Sequence, residues 1–231
     1  WTTKSLVTEA DDNDDMANLD FGYAQSKWVS EQLVLAAERQ GLAVRIYRAS
    51  TISASTGGVG NRDDIVVRLL AFMINHGLAV DATIQISFVP ADVAADSMVA
   101  IFRLPHTAGR TLHVTADRYY NMMDITSIIA RDYGYRFSSH TISEFVAELN
   151  RLCRKDDPLY PLLDFINRAY PKIVLMQGKR YANDAYRAAR RSAAGSRDDP
   201  PLAETIAFVM AYLRREGLVA RGAREGDSAR E

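Results

Sequence analysis

The sequence predicts an α/β fold built on a parallel sheet, and three consecutive segments lead to this prediction. Residues 1–7 are rich in Thr, Val and Trp and have the composition of the end of a strand. Residues 22–39 form an amphipathic helix that stops at Gly41, and residues 42–48 alternate as a second strand. The apolar stripe of this helix consists of Val29, Leu33, Ala36 and Ala37. We therefore expect a βαβ unit, with its strands as parallel neighbours joined by a right-handed crossover.

The chain beyond residue 61 adds short strands and then becomes mostly helical. Strands are expected at residues 84–89, 112–114 and 136–140. Helices are expected to begin at Asp63 or Asp64, at Asp92, at Asn121 or Asp124, at Thr141, within residues 156–171 and after Pro201. Thr141 and Glu144 have the spacing of a capping box. From Gly217 onward the residues are charged or small, a composition that indicates disorder.

Length and composition limit the class of protein. With 231 residues, 48% hydrophobic and 25% charged, the chain suits one large or two small globular domains. A net charge of −1 gives no electrostatic footprint for nucleic acid or for an anionic membrane. Cys153 is the single cysteine, so no internal disulfide can form, and a reducing, cytoplasmic location is the simplest interpretation. The chain starts at Trp1, and we expect it to be a fragment of a longer polypeptide.

Tyr23 and Lys27 form the strongest candidate site. Residues four apart in a helix lie on the same face, so the phenol and the ammonium would project into the same space. A cation beside a phenol favours its ionised form, and such a phenol can donate a proton to a carbonyl oxygen as hydride reaches the carbon. This spacing is common by chance, and a surface tyrosine beside a solvated lysine fits it as well.

The predicted topology supplies a context for this pair. Ligands of parallel α/β sheets bind beyond the carboxyl ends of the strands. Thr3, Tyr23 and the turn Ala49–Ile52 would all gather at that edge of the sheet. Residues 53–61 contain several glycines, which suit either a ligand-binding loop or a plain connection. They do not form a phosphate-binding P-loop, because no Gly-Lys-Ser/Thr follows.

The sequence gives less support for a functional role of the other candidate groups. No metal site is expected, because no metal-ligand spacing links the histidines with one another or with Cys153. The histidines are His76, His106, His113 and His140. His113 lies in a predicted strand, and Cys153 has the character of a buried small hydrophobe. A solvated face is favoured for the C-terminal arginines, and a phosphate-bearing partner is the alternative. These are Arg187, Arg190, Arg191 and Arg197.

The segment around Tyr23 resembles a known family. Residues 22–31 (Gly-Tyr-Ala-Gln-Ser-Lys-Trp-Val-Ser-Glu) closely resemble the active-site helix of thioester reductase domains. These domains are extended short-chain dehydrogenase/reductases that end non-ribosomal peptide synthetases, polyketide synthases and carboxylic acid reductases. The likeness continues at Ile46–Arg48, at Thr56–Asn61 with Asp64, at Phe88–Val93 and at Pro158–Leu163, and so covers most of the chain.

The resemblance implies a fold, a reaction and partners. Residues 1–104 would be the C-terminal part of a Rossmann-like doubly wound parallel sheet, residues 105–216 a smaller, mostly helical substrate- and carrier-binding region, and residues 217–231 a disordered tail. The enzyme would use NADPH, with NADH not excluded, to reduce an acyl thioester. The acyl group would be held on the phosphopantetheine arm of an acyl or peptidyl carrier protein and supplied by upstream synthetase or synthase modules. The product would be an aldehyde, which some members reduce to the alcohol.

The resemblance also assigns roles to residues. Tyr23 would donate the proton, and Lys27 would favour the ionised phenol and bind the nicotinamide ribose. Thr3 would hydrogen-bond the substrate carbonyl. The residues along the nicotinamide would be Ala49, Ser50 and Ile52.

Three features depart from the family pattern. Ala49-Ser50 stands where the family usually has Pro-Gly, and Ala91 replaces the Val that usually precedes Asp92. The glycine-rich turn that binds the pyrophosphate would precede Trp1. We therefore expect weak cofactor binding by this chain alone, and activity only together with that preceding half. Two alternatives stay open: a nucleotide-sugar epimerase or dehydratase of the same superfamily, and a non-catalytic carrier-docking module.

Overall fold

The computed structural model describes residues 4–11, 19, 21–175 and 177–220, so Thr3 lies outside the described residues. The strands are β1 (Leu6–Val7), β2 (Arg45–Ala49), β3 (Thr51–Ser53), β4 (Leu78–Val80), β5 (Phe88–Pro90), β6 (Arg110–Val114), β7 (Ser138–His140) and β8 (Arg180–Tyr181). The helices are α1 (Gly22–Arg39), α2 (Ile65–His76), α3 (Ala91–Phe102), α4 (Met122–Tyr133), α5 (Ile142–Leu152), α6 (Leu163–Val174), α7 (Asp184–Ser192) and α8 (Leu202–Arg215). Short 3-10 turns occupy Pro105–Thr107 and Tyr160–Leu162.

The named strands pair in parallel, which confirms the predicted α/β fold. The pairs are β1 with β8, β2 with β6, β3 with β5, and β4 with β7. The predicted neighbours β1 and β2 do not pair within the described residues, because each takes a partner from later in the chain. The local pattern of a strand shows which faces are apolar, but it does not show which distant strand completes its hydrogen bonds.

Several helix boundaries follow from local capping chemistry, as predicted. The Asp64 carboxylate accepts hydrogen bonds from two backbone N–H groups in the first turn of α2, and Gly77 ends that helix in the left-handed conformation. Asn121 and Asp124 cap each other's backbone at the start of α4. Thr141 and Glu144 form the predicted capping box of α5.

Two apolar clusters form the interior. The larger one packs α2 against α4, α5, α6 and α8, and the smaller one lies among β6, α3 and α7. Fully buried members are Phe72, Leu149 and Met210 in the larger cluster and Ile101, Leu112 and Tyr186 in the smaller one. Both clusters combine residues from before and after residue 104, so the two predicted regions share their interior.

Helix α1 differs from the other α-helices because none of its residues is buried. Val29 is 45% exposed and Leu33 is 66% exposed, although both belong to the predicted packing stripe. The expected burial of these two side chains is therefore wrong for the described chain. Helical spacing shows that one face of a helix is apolar, but it does not show which element covers that face.

The chain beyond Gly217 stays part of the fold as far as Ala220, contrary to the expected disorder from residue 217. Leu218 and Val219 are buried in the larger cluster. The Asn75 side chain on α2 donates a hydrogen bond to the Leu218 carbonyl at 2.9 Å. Composition misled here because two apolar residues with a packing partner outweigh the charged sequence that follows them. Residues 221–231 lie outside the described residues.

The glycine-containing segment 54–61 packs against α8. Gly58 has a φ of 68°, and a Cβ atom at that position would lie 3.5 Å from the Cβ of Ala211. A Cβ atom on Gly60 would lie only 2.9 Å from the Tyr212 ring. The glycines therefore allow the backbone to approach the helix closely, which makes this segment a packed connection.

Gly60→Ala should lower the free energy of unfolding by about 1 kcal/mol or more, because the added methyl group overlaps the buried Tyr212 ring. Gly57→Ala is the matched control, since a Cβ atom there meets only the Ser55 hydroxyl, at 3.8 Å. Urea unfolding of both variants measures the difference. Equal stability of the two variants would contradict the packing argument.

Candidate active site

Helix α1 brings Tyr23 and Lys27 together, as their spacing predicts. The Lys27 ammonium nitrogen lies 5.6 Å from the centroid of the Tyr23 ring. Both side chains are exposed, and Tyr23 retains 70% of its accessible surface. The Ser26 hydroxyl donates to the Tyr23 carbonyl at 2.8 Å, so it is engaged with the helix backbone. The pair thus occupies the open side of the helix, where a ligand can reach both groups.

The second group of predicted site residues lies where one extended segment changes its pairing partner. Residues 45–49 pair with β6, whereas residues 51–53 pair with β5. Ser50 lies between them: its backbone N–H donates to the Val114 carbonyl at 3.0 Å, and its hydroxyl donates to the Ser87 carbonyl at 3.4 Å. Ligands of parallel sheets usually bind beyond the carboxyl ends of the strands, and the carboxyl end of β2 lies here, at Ala49.

Ala49 and Ile52 lie on either side of Ser50, in the stretch 49–52 where the pairing partner changes; we call this stretch the strand fork. Ala49 is exposed at the end of β2, and Ile52 is half-buried against the smaller apolar cluster. The three residues predicted to lie along the nicotinamide therefore share one place in the fold. The Ser50 hydroxyl and N–H are already engaged with the framework, so Ser50 holds the fork in shape.

Arg48 connects the strand fork with α1. Its guanidinium donates to both carboxylate oxygens of Glu31, at 2.6 and 3.2 Å, and to the Asp11 carbonyl at 3.0 Å. The Arg48 side chain is 23% exposed and that of Glu31 is 11% exposed. Glu31 lies one helical turn beyond Lys27, so this ion pair fixes the helix next to the strand that ends at Ala49.

Thr3 lies outside the described residues, but the segment that follows it is held by two carboxylates. Glu9 accepts hydrogen bonds from three backbone N–H groups, those of His113, Ala185 and Tyr186, at 2.7–3.0 Å. Asp11 accepts from the Lys4 ammonium and the Thr8 N–H, and these hydrogen bonds lower the pKa of Asp11 to about 2. The segment 4–11 is thereby tied to β6 and α7.

Asp92 joins the glycine-containing segment to the C-terminal part of the chain. Burial alone would raise the pKa of Asp92, but hydrogen bonds from Thr56 and from the Arg197 guanidinium outweigh it and hold the pKa well below its usual range. The Thr56 N–H donates to this carboxylate at 2.9 Å, and Arg197 also donates to it at 2.9 Å. The start of α3 is therefore a structural junction.

The predicted solvated arginine face is wrong for its central member. Arg190 is 8% exposed and pairs with Asp199 at 3.1 Å. Arg187 pairs with Asp117 at 3.1 Å, and Arg197 pairs with Asp92. Sequence spacing did not reveal these acidic partners because they lie on other elements. With three of its four guanidinium groups engaged, this surface offers little to a phosphate-bearing partner.

The remaining candidate groups have structural roles. His113 is buried in β6, its Nδ1 donates to the Ala182 carbonyl at 2.7 Å, and burial lowers the pKa of its imidazole. Cys153 is 5% exposed, and burial raises the pKa of its thiol to about 11, which fits a small core residue. Within the ranges that the structure describes, no group of three His, Cys, Asp or Glu side chains could hold a metal ion.

Comparison with known proteins shows what this chain is similar to. Residues 2–98 match the family model described as Male sterility protein. The large subunit of L-2-aminoadipate reductase from Eremothecium gossypii is 30% identical over 154 residues, which are 65% of this chain and 11% of that protein.

None of the described helices combines the length and the apolar character needed to cross a bilayer.

Two solved structures share the fold. The terminal reductase domain of the myxalamid PKS-NRPS pathway has a TM-score of 0.85 at 24% identity, covering 95% of this chain and 56% of that one. A thiolation-reductase di-domain from an archaeal non-ribosomal peptide synthetase has a TM-score of 0.70 at 18% identity, covering 91% of this chain and 44% of that one. The chain thus spans about half the length of these solved relatives, and a small fraction of the curated one.

The parallel strand pairing of this chain is similar to that of these reductase domains, and residues 2–98 match the family model. Together with the similarity to L-2-aminoadipate reductase, these findings confirm the resemblance to thioester reductase domains.

Proposed function

We propose that this chain carries the proton-donating pair and the nicotinamide-facing strand end of an NAD(P)H-dependent thioester reductase, which releases an acyl or peptidyl group from a carrier protein as an aldehyde. The observation that carries the proposal is the Lys27 ammonium 5.6 Å from the Tyr23 ring centroid on the open side of α1. Arg48 ties this helix to the strand fork that holds Ala49. L-2-aminoadipate reductase and the terminal reductase domains are relatives whose names point to the same kind of reaction.

The chemistry needs a proton donor beside the reacting carbonyl. When bound, the reduced nicotinamide supplies a hydride to the carbonyl carbon of the thioester. Tyr23 would donate its hydroxyl proton to the carbonyl oxygen, which gives a hemithioacetal, and Lys27 would stabilise the phenolate that remains. The C–S bond of the hemithioacetal then breaks, giving free aldehyde and the thiol of the phosphopantetheine arm. Thr3, outside the described residues, is proposed as the second donor to the same oxygen.

The described residues fit the nicotinamide end of the cofactor. Ala49 is small and exposed, and Ile52 offers apolar surface beside it. The glycine-containing segment 54–61 is packed on α8, so it is not free to hold the pyrophosphate. We therefore propose that residues 1–231 alone bind NADPH weakly and that turnover requires the part of the relatives that this chain does not span. Preference for NADPH over NADH is taken from the family resemblance.

The two regions would divide the work by function, although they share their interior. We propose that residues 1–104 carry the reductase chemistry and that the mostly helical residues 105–216 face the acyl chain and the carrier protein. A carrier partner is supported by the solved relative in which a thiolation domain and a reductase domain occur together.

A three-way assay of the natural polypeptide that contains this chain tests the proposal. The polypeptide is mixed with NADPH and either an acyl group on a phosphopantetheinylated carrier protein, a nucleotide-sugar, or the unloaded carrier. We expect NADPH oxidation and a trapped aldehyde with the loaded carrier only. Conversion of the nucleotide-sugar would instead favour the epimerase or dehydratase. Binding of both the loaded and the unloaded carrier, with no NADPH oxidation by the loaded one, would favour a docking module.

A further inference from the structure

Arg48 lies at the meeting point of three elements. Its side chain leaves β2, two of its nitrogens donate to the Glu31 carboxylate on α1, and Nη1 donates to the Asp11 carbonyl in the segment after β1. Tyr23 and Lys27 lie on α1, and Ala49 ends β2 directly before Ser50. One guanidinium thus joins the helix and the strand that position these four residues.

The contact between Arg48 and Glu31 is less exposed to water and more directional than an ordinary surface ion pair. Exposed pairs contribute little because water and salt screen them, but here both side chains are mostly removed from water. Two parallel N–H donors engage the two oxygens of one carboxylate, which fixes direction as well as distance. A lysine ammonium can supply charge at this position but not the planar fork, so Arg48 and Lys are not equivalent here.

The position of Glu31 explains why direction matters. Tyr23, Lys27 and Glu31 follow one another at four-residue spacing, so they lie along one side of α1. Holding Glu31 therefore restrains the rotation of α1 about its axis and its displacement along that axis. None of the residues of α1 is buried, so packing contributes less to this alignment than it does for the other helices.

We infer that Arg48 is a positioning residue that aligns Tyr23 and Lys27 with the strand end at Ala49 and with the segment after β1. The catalytic consequence rests on the proposed function, whereas the alignment itself does not. Loss of the alignment should affect the chemical step more than substrate binding, because a misplacement of about 1 Å can cost on the order of a hundredfold in rate.

The test uses Arg48→Lys, which keeps the charge and removes the fork. The matched control is Arg45→Lys on the same strand. Arg45 makes a similar pair of contacts, to the Thr107 hydroxyl at 2.7 Å and to the Leu104 carbonyl at 2.9 Å. It lies three positions before Arg48, so its side chain leaves the opposite face of the strand. Amide hydrogen exchange is measured for both variants, and kcat and KM for the acyl thioester are measured in the natural polypeptide.

We expect Arg48→Lys to speed hydrogen exchange in α1 and in residues 4–11 while α2, α4 and α8 keep their protection, and to lower kcat about 10- to 100-fold with KM nearly unchanged. Arg45→Lys should leave exchange in α1 and kcat unchanged. Glu31→Gln combined with Arg48→Lys should cost no more than the worse single change, because the pair acts as a unit.

Unchanged exchange in α1, or additive losses in the double variant, would overturn the inference. An inactive wild-type polypeptide whose α1 is still loosened by Arg48→Lys would refute the proposed function and leave the alignment standing. A Tyr23-dependent reductase whose kcat is insensitive to Arg48→Lys would refute the inference alone.

Discussion

Tyr23→Phe should lower kcat for thioester reduction by about 10²- to 10⁴-fold, the range that removal of a positioned proton donor usually costs. The variant removes one oxygen from an exposed ring and leaves the ring itself, which the Lys27 ammonium approaches to 5.6 Å. Because the Tyr23 side chain is 70% exposed, deletion of its hydroxyl breaks no buried contact. We therefore expect the midpoint of thermal unfolding to stay unchanged.

Ser30→Ala on the same helix is the control for this prediction. The Ser30 hydroxyl is exposed and donates only to the Ser26 carbonyl within α1, so its loss should alter neither kcat nor stability. Steady-state kinetics with a carrier-bound thioester distinguish the two variants. A Tyr23→Phe enzyme with wild-type kcat would remove Tyr23 from the catalytic role and with it the main support for the proposed function.

The parts of this structure that the sequence predicts are the ones determined within a few residues of chain. α1 begins at Gly22 and ends at Arg39, as the apolar spacing and Gly41 indicate. Asp64 and the Thr141–Glu144 capping box mark helix starts because both bonding partners lie within one turn. The convergence of Tyr23 and Lys27 belongs to the same category, since four-residue spacing in a helix is enough to produce it.

The parts that escape prediction depend on distant segments. The apolar stripe of α1 is visible in the sequence, but the exposure of Leu33 is not, because exposure depends on what packs against the helix. The burial of Leu218 depends on α2, more than a hundred residues earlier, where Asn75 binds its carbonyl. The strand fork at Ser50 likewise arises from two partners, β5 and β6, that the local sequence does not specify.

The candidate site also combines features that the local sequence predicts with features that depend on distant segments. The residues that would touch substrate or cofactor stand in a recognisable motif, whereas the residues that hold them in place do not. Arg48 and Glu31 are seventeen positions apart and read as ordinary surface charges in the sequence. Glu9 is the clearest case, because its hydrogen-bond partners Ala185 and Tyr186 lie at the other end of the chain.

Glu9→Ala should lower the free energy of unfolding by roughly 2–3 kcal/mol, because three backbone N–H groups lose their charged acceptor at once. Two of these groups open α7, a helix that has no capping side chain of its own at Asn183. The third belongs to His113, which is buried in β6. The carboxylate therefore replaces a local cap by a long-range one, and its removal should loosen the segment 4–11, β6 and α7 together.

Glu144→Ala provides the comparison, because Glu144 also accepts a backbone N–H at a helix start, but from the neighbouring Thr141 and in full contact with water. It should cost at most about 1 kcal/mol, since water can take over the exposed donor. Glu9→Gln, which keeps one acceptor oxygen, should fall between the two. Urea unfolding of the three variants gives the ranking, and a Glu9→Ala protein as stable as Glu144→Ala would show that the distant carboxylate does not hold the start of α7.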